Sequence, residues 1–175
     1  MVKNSNISTG ILGGSFDPAH EGHLAISKIA IKKIKLKRVL WIITKKNPFK
    51  KKPQHSLPQR IKLAKKISKK VNQIQVSYLD KTIGSSRSIN ILNYLIAKKK
   101  IKNIYLIIGS DNLINFHKWK SWKKIVKLTK LVVFSRKGYD KKSKKSIVAK
   151  YLKNKIIFIK NKPILISSTK LRNQR

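Results

Sequence analysis

Short apolar runs rich in β-branched residues alternate along this chain with longer lysine-rich segments whose apolar residues recur at helical spacing. The runs are GILGG (10–14), RVLWIIT (38–44), IQVSY (74–78), IYLIIG (104–109), LVVFS (131–135) and IIFI (156–159). Runs of this length without polar alternation read as strands buried on both faces. Between them, Leu24, Ile26, Ile29, Ala30 and Ile34, and again Leu57, Ile61, Leu63, Ala64 and Ile67, mark amphipathic helices. A β-α-β-α order of this kind builds an α/β fold: a parallel sheet with right-handed crossovers and helices on both faces. No linker or composition break divides the 175 residues, so one domain spanning 1–175 is expected. Ligands of such sheets sit beyond the carboxyl ends of the strands. The stretches to watch are therefore GGSFDPAHEGH after the first strand, KKNPFKKK after the second, GSDN after the fourth, SRKGY after the fifth and SSTKLR after the sixth. The segment 45–56 is the longest polar connection, and 137–146 reads as a Lys/Ser-rich surface loop.

The charge balance, 44 Lys+Arg against 5 Asp+Glu for a formal +39, would ordinarily suggest a nucleic-acid or membrane-surface partner. Most of the cations are lysine, the apolar residues are dominated by isoleucine, and asparagine is common. That is the bias of codons drifting toward A and T, and it spreads lysine over every solvated face whatever the function. A basic surface becomes a footprint only when it clusters on one element, and nucleic-acid binding would also need aromatics interleaved with the cations. Here Trp and Phe fall mostly in strands or near 116–119, so no specific nucleic acid and no membrane is expected as partner. The chain has no cysteine, which excludes disulfides and thiolate metal sites. Its first ten residues hold no apolar signal core, and no apolar run approaches the ~18 residues of a membrane span, so a cytoplasmic location is expected.

GGSFDPAHEGH (13–23) concentrates chemistry that the rest of the chain lacks. Gly13 and Gly14 at a strand end allow a tight turn and let a phosphate approach without meeting a Cβ, although the pattern is neither G-x-G-x-x-G nor a P-loop. Pro18 fixes the turn, and a helix is predicted to open near Glu21. His20 and His23 then lie at its amino end, where free N–H groups and the macrodipole favour an anion. Three readings are open. The pair could ligate a metal, but His55 and His117 lie far along the chain and no cysteine completes a set. It could cap the turn, or it could donate two imidazole hydrogen bonds to a polyphosphate. At the far end, ISSTKLR (166–172) places Ser167, Ser168 and Thr169 at a helix start with Arg172 one turn on. Alone this is an N-cap; beside a His-x-Gly-His helix start it has the makings of the second jaw of a phosphate clamp.

GGSFDPAHEGH together with ISSTKLR resembles the nucleotidyltransferase superfamily of adenylyltransferases, marked by His-x-Gly-His and Ser-Ser-Thr-x-x-Arg motifs. NPFK (47–50), SINIL (88–92), IIGSDNL with F..W (107–119) and VVFSRKGY (132–139) extend the likeness nearly end to end and narrow it to the bacterial nicotinate-nucleotide adenylyltransferases. The phosphopantetheine adenylyltransferases share the clamp but usually carry Thr at the position of His20 and lack the F..W segment.

The resemblance implies a Rossmann-like sheet of the nucleotidyltransferase type and transfer of the adenylyl group of ATP to nicotinate mononucleotide in NAD biosynthesis. Transfer to nicotinamide mononucleotide or phosphopantetheine is the alternative. It implies His20 and His23 as the catalytic contacts to the ATP phosphates. Gly14, Ser15, Phe16, Gly109, Asp111, Ser168, Thr169 and Arg172 are the further ATP-binding positions. Gly109 and Asp111 match the adenosine-ribose contacts, and Mg2+ is carried by the ATP with no metal ligand of the protein's own. Lys50 matches the position meeting the mononucleotide phosphate, Ser88 one near the pyridine carboxylate, and Trp119 the residue stacking on the ring. Departures from the family pattern are Ala19 for the usual Pro, Phe49 for a frequent His, Ser88 for Thr, and a tail only three residues long after Arg172. Of the five acids in the chain, Asp17 and Asp111 fall inside family motifs.

Overall fold

The computed structural model describes residues 7–45 and 52–161. Its strands are β1 (Thr9–Gly14), β2 (Arg38–Ile43), β3 (Ile74–Tyr78), β4 (Ile104–Gly109), β5 (Lys130–Phe134) and β6 (Ile157–Ile159), each within one residue of the apolar run that marks it. All are parallel, in the order β3-β2-β1-β4-β5-β6. The helices are α1 (Glu21–Ile34), α2 (Leu57–Ser68), α3 (Asp80–Ile83), α4 (Ser88–Ala97), α5 (Ser110–Asn115), α6 (Trp122–Leu128), α7 (Asp140–Lys144) and α8 (Ile147–Leu152).

Alternate strand residues feed two cores, as the two-residue period of a strand requires. Ile11, Leu40, Ile42, Leu106, Ile108, Leu131 and Val133 point to the side covered by α4, α6 and α8, through Ile89, Leu92, Leu95, Ile125, Val148 and Leu152. Leu12, Val39, Trp41, Ile43, Ile107, Val132 and Phe134 point to the side where α1 and α2 add Leu24, Ala30 and Ala64. Helix ends follow local chemistry. Ser56 and Gln59 form a reciprocal capping box at α2, with Pro58 in its first turn, and α1 stops at Lys35 in the left-handed conformation (φ 56°).

The segment 137–146 is not the surface loop that its composition suggests. Within it α7 forms and Ser146 caps α8, because Asp140 takes hydrogen bonds from the end of β5 while Ser143 is fully buried and donates to the Asp140 carbonyl. No helix among the described residues is long and apolar enough to cross a membrane.

The strand order reverses between β1 and β4: from β1 the chain winds outward to β2 and β3, from β4 to β5 and β6. Loops leaving the two strands therefore diverge, and a crevice opens beyond Gly14 and Gly109.

Candidate active site

At the exit of β1, Gly13 and Gly14 remain in the strand, in register with Ile42 and Ile43, and Thr44 N–H continues the ladder to the Gly14 carbonyl (2.9 Å). The tight turn expected at these glycines falls two residues later, where Phe16 takes the left-handed conformation at φ 47°. A phenylalanine holds that conformation because its ring is sealed (2 % exposed) against Trp41 and His23, at 5.2 and 4.6 Å between centroids. Phe16 thus enters the site as the shelf beneath His23. A Cβ built on Gly13 would meet nothing within 4 Å, so the strand end faces open space, and Ser15 sits half-buried at its rim. The Asp17–Pro18 peptide is cis.

His20 is the N-cap of α1 and His23 its third helical residue. Gly22 N–H donates to His20 Nδ1 (3.1 Å), and His20 N–H donates to His23 Nδ1 (3.2 Å). Each Nδ1 is therefore an acceptor, and a neutral imidazole that accepts at Nδ1 carries its proton on Nε2. The two rings stand 3.9 Å apart between centroids. Of the readings open at the level of sequence the structure shows the cap, and it is compatible with anion binding: the cap fixes the tautomer, and the tautomer makes each Nε2 a donor at a helix amino terminus. Trp41 Nε1 donates to Ser27 Oγ, which donates to the His23 carbonyl (2.8 Å each), tying the first turns of α1 to β2.

All five acids of the chain, Asp17, Glu21, Asp80, Asp111 and Asp140, lie in segments that follow the carboxyl ends of strands. Three of them hold backbone N–H groups. Asp17 accepts from Gln54 N–H (2.9 Å), His55 N–H (3.0 Å) and His55 Nδ1 (2.8 Å). Burial opposes its ionisation, yet these hydrogen bonds and the His55 ring outweigh burial and hold the carboxyl below its usual range. Asp80 accepts from Lys45 N–H (2.7 Å), but there burial dominates and raises its pKa, against the pull of that bond and of Arg60. Asp140 takes hydrogen bonds from the Ser135 hydroxyl and from Arg136 N–H (3.0 Å). Burial again opposes, and these bonds, with the Ser110 hydroxyl and Lys144 charge, bring its pKa down. Glu21 pairs with Lys70 on the surface.

Arg60 was not legible as a functional residue. It lies on α2 at 2 % exposure, and its guanidinium donates to the carbonyls of Ser15 (2.6 Å), Thr44 (2.8 Å) and Lys45 (3.2 Å). Burial lowers its pKa while Asp17, Asp80 and Tyr78 raise it. The sequence signal was its helical spacing to Ala64 and Ser68, which puts an arginine on the buried stripe of α2.

On the β4 side, Gly109 ends the strand, and a Cβ there would collide with Asp111 Oδ1. Asp111 Oδ2 pairs with Arg136 Nη1 (2.7 Å), whereas its buried Oδ1 has no hydrogen-bond partner among the described residues. Ser88 opens α4, and Trp119 follows the 3-10 turn Phe116–Lys118. The Trp119 ring is half-buried and stacked on Phe116 (4.6 Å), so one of its faces belongs to the core. A concavity of about 430 Å³ between the ends of β2 and β3 and the approach to α4 is lined by Lys45, Tyr78, Asp80, Lys81, Gly84, Ser85 and Ser86. Lys50, Ser168, Thr169 and Arg172 lie outside the described residues.

Comparison with known proteins settles the family. The cytidylyltransferase-like family model matches residues 11–174. A protein of Pelagibacter ubique described as a probable nicotinate-nucleotide adenylyltransferase is 51 % identical over 98 % of this chain and 99 % of its own. The chain belongs to the cytidylyltransferase-like family, among the nicotinate-nucleotide adenylyltransferases. A member from Aquifex aeolicus, with the same description, is 34 % identical over 91 % of this chain and 98 % of its own. The fold of this family is shared with Plasmodium falciparum nicotinic acid mononucleotide adenylyltransferase, solved in complex with NaAD: the TM-score is 0.76 at 18 % identity, covering 94 % of this chain and 82 % of that one. The parallel α/β sheet expected from the strand pattern, Rossmann-like by the resemblance, is thus that of the family. Among the described residues no group of three or more His, Asp or Glu is placed to hold a metal ion.

Proposed function

We propose that the whole chain acts as one nucleotidyltransferase domain that transfers the adenylyl group of ATP to nicotinate mononucleotide, giving nicotinate adenine dinucleotide and pyrophosphate. The observation that carries this reading is the pair of imidazoles whose Nδ1 atoms accept from backbone N–H groups, which puts the proton of each neutral ring on Nε2 at the start of α1. Phosphate oxygens are the acceptors such donors fit.

An oxygen of the mononucleotide phosphate attacks the α-phosphorus of ATP, and the bond from that phosphorus to the α–β bridging oxygen breaks, pyrophosphate leaving with the electron pair. The attacking oxygen is already anionic at neutral pH, so no protein nucleophile or general base is called for; catalysis consists of positioning and charge stabilisation. His23, braced by Phe16, donates to the α-phosphate as charge shifts, and His20 donates beside it. Backbone of Gly14, Ser15 and Phe16 borders the triphosphate. Ser168, Thr169 and Arg172 grip the departing pyrophosphate, and Mg2+ enters on the ATP, keeping mostly water ligands. The missing side chain of Gly109 leaves room for the Asp111 carboxylate, which accepts from a ribose hydroxyl. Lys50 meets the acceptor phosphate, N–H groups near Ser88 meet the nicotinate carboxylate, and Trp119 offers the pyridine ring its remaining face.

The test is pyrophosphate release from ATP with nicotinate mononucleotide, nicotinamide mononucleotide and phosphopantetheine as acceptors. Hydrogen bonds to a charged group contribute about 1.5–3 kcal/mol, so nicotinate mononucleotide should be preferred over its amide by roughly 10- to 150-fold in kcat/KM. Equal use of the two would refute the acceptor assignment, and absence of adenylyl transfer to any of them would refute the activity.

A further inference from the structure

The backbone ladder between β1 and β2 ends with the Thr44 N–H bond to the Gly14 carbonyl. Arg60 takes over one peptide later. Its three acceptors, the carbonyls of Ser15, Thr44 and Lys45, are the first ones past the end of the pairing, so these bonds add nothing to the register of the strands. What they set is the direction in which two loops leave the sheet. Lys45 is held on both sides, its carbonyl by Arg60 and its N–H by Asp80 Oδ2. A guanidinium can do this where an ammonium cannot, because its donors diverge in one plane from a fixed fork. Keeping such a group at 2 % exposure is costly, and Asp17 and Asp80 counter only part of that cost, burial remaining the larger effect.

The two loops have different tasks under the function proposed above, on which this inference rests. The one from Ser15 runs into His20 and His23, the donors to ATP; the one from Lys45 opens the stretch of sequence that holds Lys50, assigned to the acceptor phosphate, and ends at Gln54 and His55, which bind Asp17 of the first loop. We infer that Arg60 is a positioning residue for adenylyl transfer, fixing the two loops relative to each other so that acceptor phosphate and α-phosphorus meet in line. In-line attack requires the reacting atoms about 3–3.5 Å apart, and a misplacement of ~1 Å can cost ~10²-fold in rate. Arg60 touches neither reacting group, so its loss should appear in turnover and not in the binding of either substrate alone.

The experiment uses the full chain carrying Arg60→Met or Arg60→Lys. Calorimetry gives the Kd of ATP and of nicotinate mononucleotide separately, a thermal melt identifies folded protein, and single-turnover rates are taken with both substrates saturating. Arg60→Met should keep each Kd within about threefold while its rate falls ~100-fold, and Arg60→Lys, which retains the charge but not the fork, should recover part of the loss. A folded Arg60→Met protein within threefold of the wild-type rate, or one whose rate loss is matched by lost affinity for a single substrate, would overturn the inference. Should Arg60→Met fail to fold, Arg60→Lys decides alone: a reduced rate at unchanged Kd supports the role, and an unchanged rate overturns it. A wild-type protein inactive with these substrates would instead strike the parent assignment.

Discussion

The two sides of the crevice present opposite hydrogen-bonding character. Beyond β1 stand donors: the Nε2–H groups of His20 and His23 and the opening turn of α1, with the neighbouring Asp17 withdrawn to 2 % exposure and committed to Gln54 and His55. Beyond β4 stands an acceptor: Asp111, one oxygen paired with Arg136 and the other buried without a partner among the described residues. Phosphates need donors, and sugar hydroxyls can give a hydrogen bond to a carboxylate. A nucleotide laid across the switch point with its phosphates toward β1 and its ribose toward β4 satisfies both sides, whereas the reverse orientation sets Asp111 against a phosphate. The contrast also shows what a chain with 44 cations does with five acids. Beyond β1, Asp17 pins the backbone of Gln54 and His55, whereas beyond β4 Asp111 pins none.

The sharpest break of this comparison is His23→Ala. Removing a preorganised donor to the transition state should lower kcat by ~10²-fold or more with little change in ATP affinity. Turnover within tenfold of wild type would show that the β1 side does not stabilise developing charge. The other side is probed by Asp111→Asn, expected to raise the KM for ATP about 10-fold, the lower end for loss of a hydrogen bond to a charged acceptor, with kcat nearly unchanged. ATP analogues lacking a ribose hydroxyl should be penalised in the wild type and not further in the variant. A variant that penalises those analogues as strongly as ATP would place Asp111's partner elsewhere.

A smaller effect separates pinning from binding. Because the folded state lowers the pKa of Asp17, its carboxylate contributes stability above the unfolded value of about 3.9, and that contribution is lost as pH falls through the lower folded value. Asp17→Asn should therefore destabilise the protein by about 1–2 kcal/mol at pH 7, with the gap to wild type narrowing below pH ~4 in urea unfolding. A gap independent of pH would mean that shape, not charge, holds His55 and Gln54.

The central strands β1, β2, β4 and β5 were legible because they are largely buried on both faces and read as apolar runs, the edge strands β3 and β6 because of their β-branched residues despite exposed Gln75 and Phe158, and GGSFDPAHEGH because its residue types are scarce elsewhere in the chain. Arg60 and Asp80 were not, since their roles depend on partners 15 to 45 residues away along the chain, brought together only when α2 packs against β2 and β3. Glycine favours positive φ, so the sequence points to Gly13 and Gly14 for the turn; Phe16 takes it because burial of an aromatic ring can outweigh a local backbone preference. The short helix α7 is hidden in the sequence because lysine and serine dominate its surface while Asp140 and Ser143 bind inward.

Backbone capping fixes both neutral imidazoles as Nε2–H donors. Nitrogen-15 NMR of the histidine rings in the full chain at neutral pH reads this directly, with His20→Asn and His23→Asn assigning the signals. Both rings are expected in the Nε2–H form, with those protons shifting when ATP binds. A proton on Nδ1 of either ring, or rings that do not respond to ATP, would contradict this.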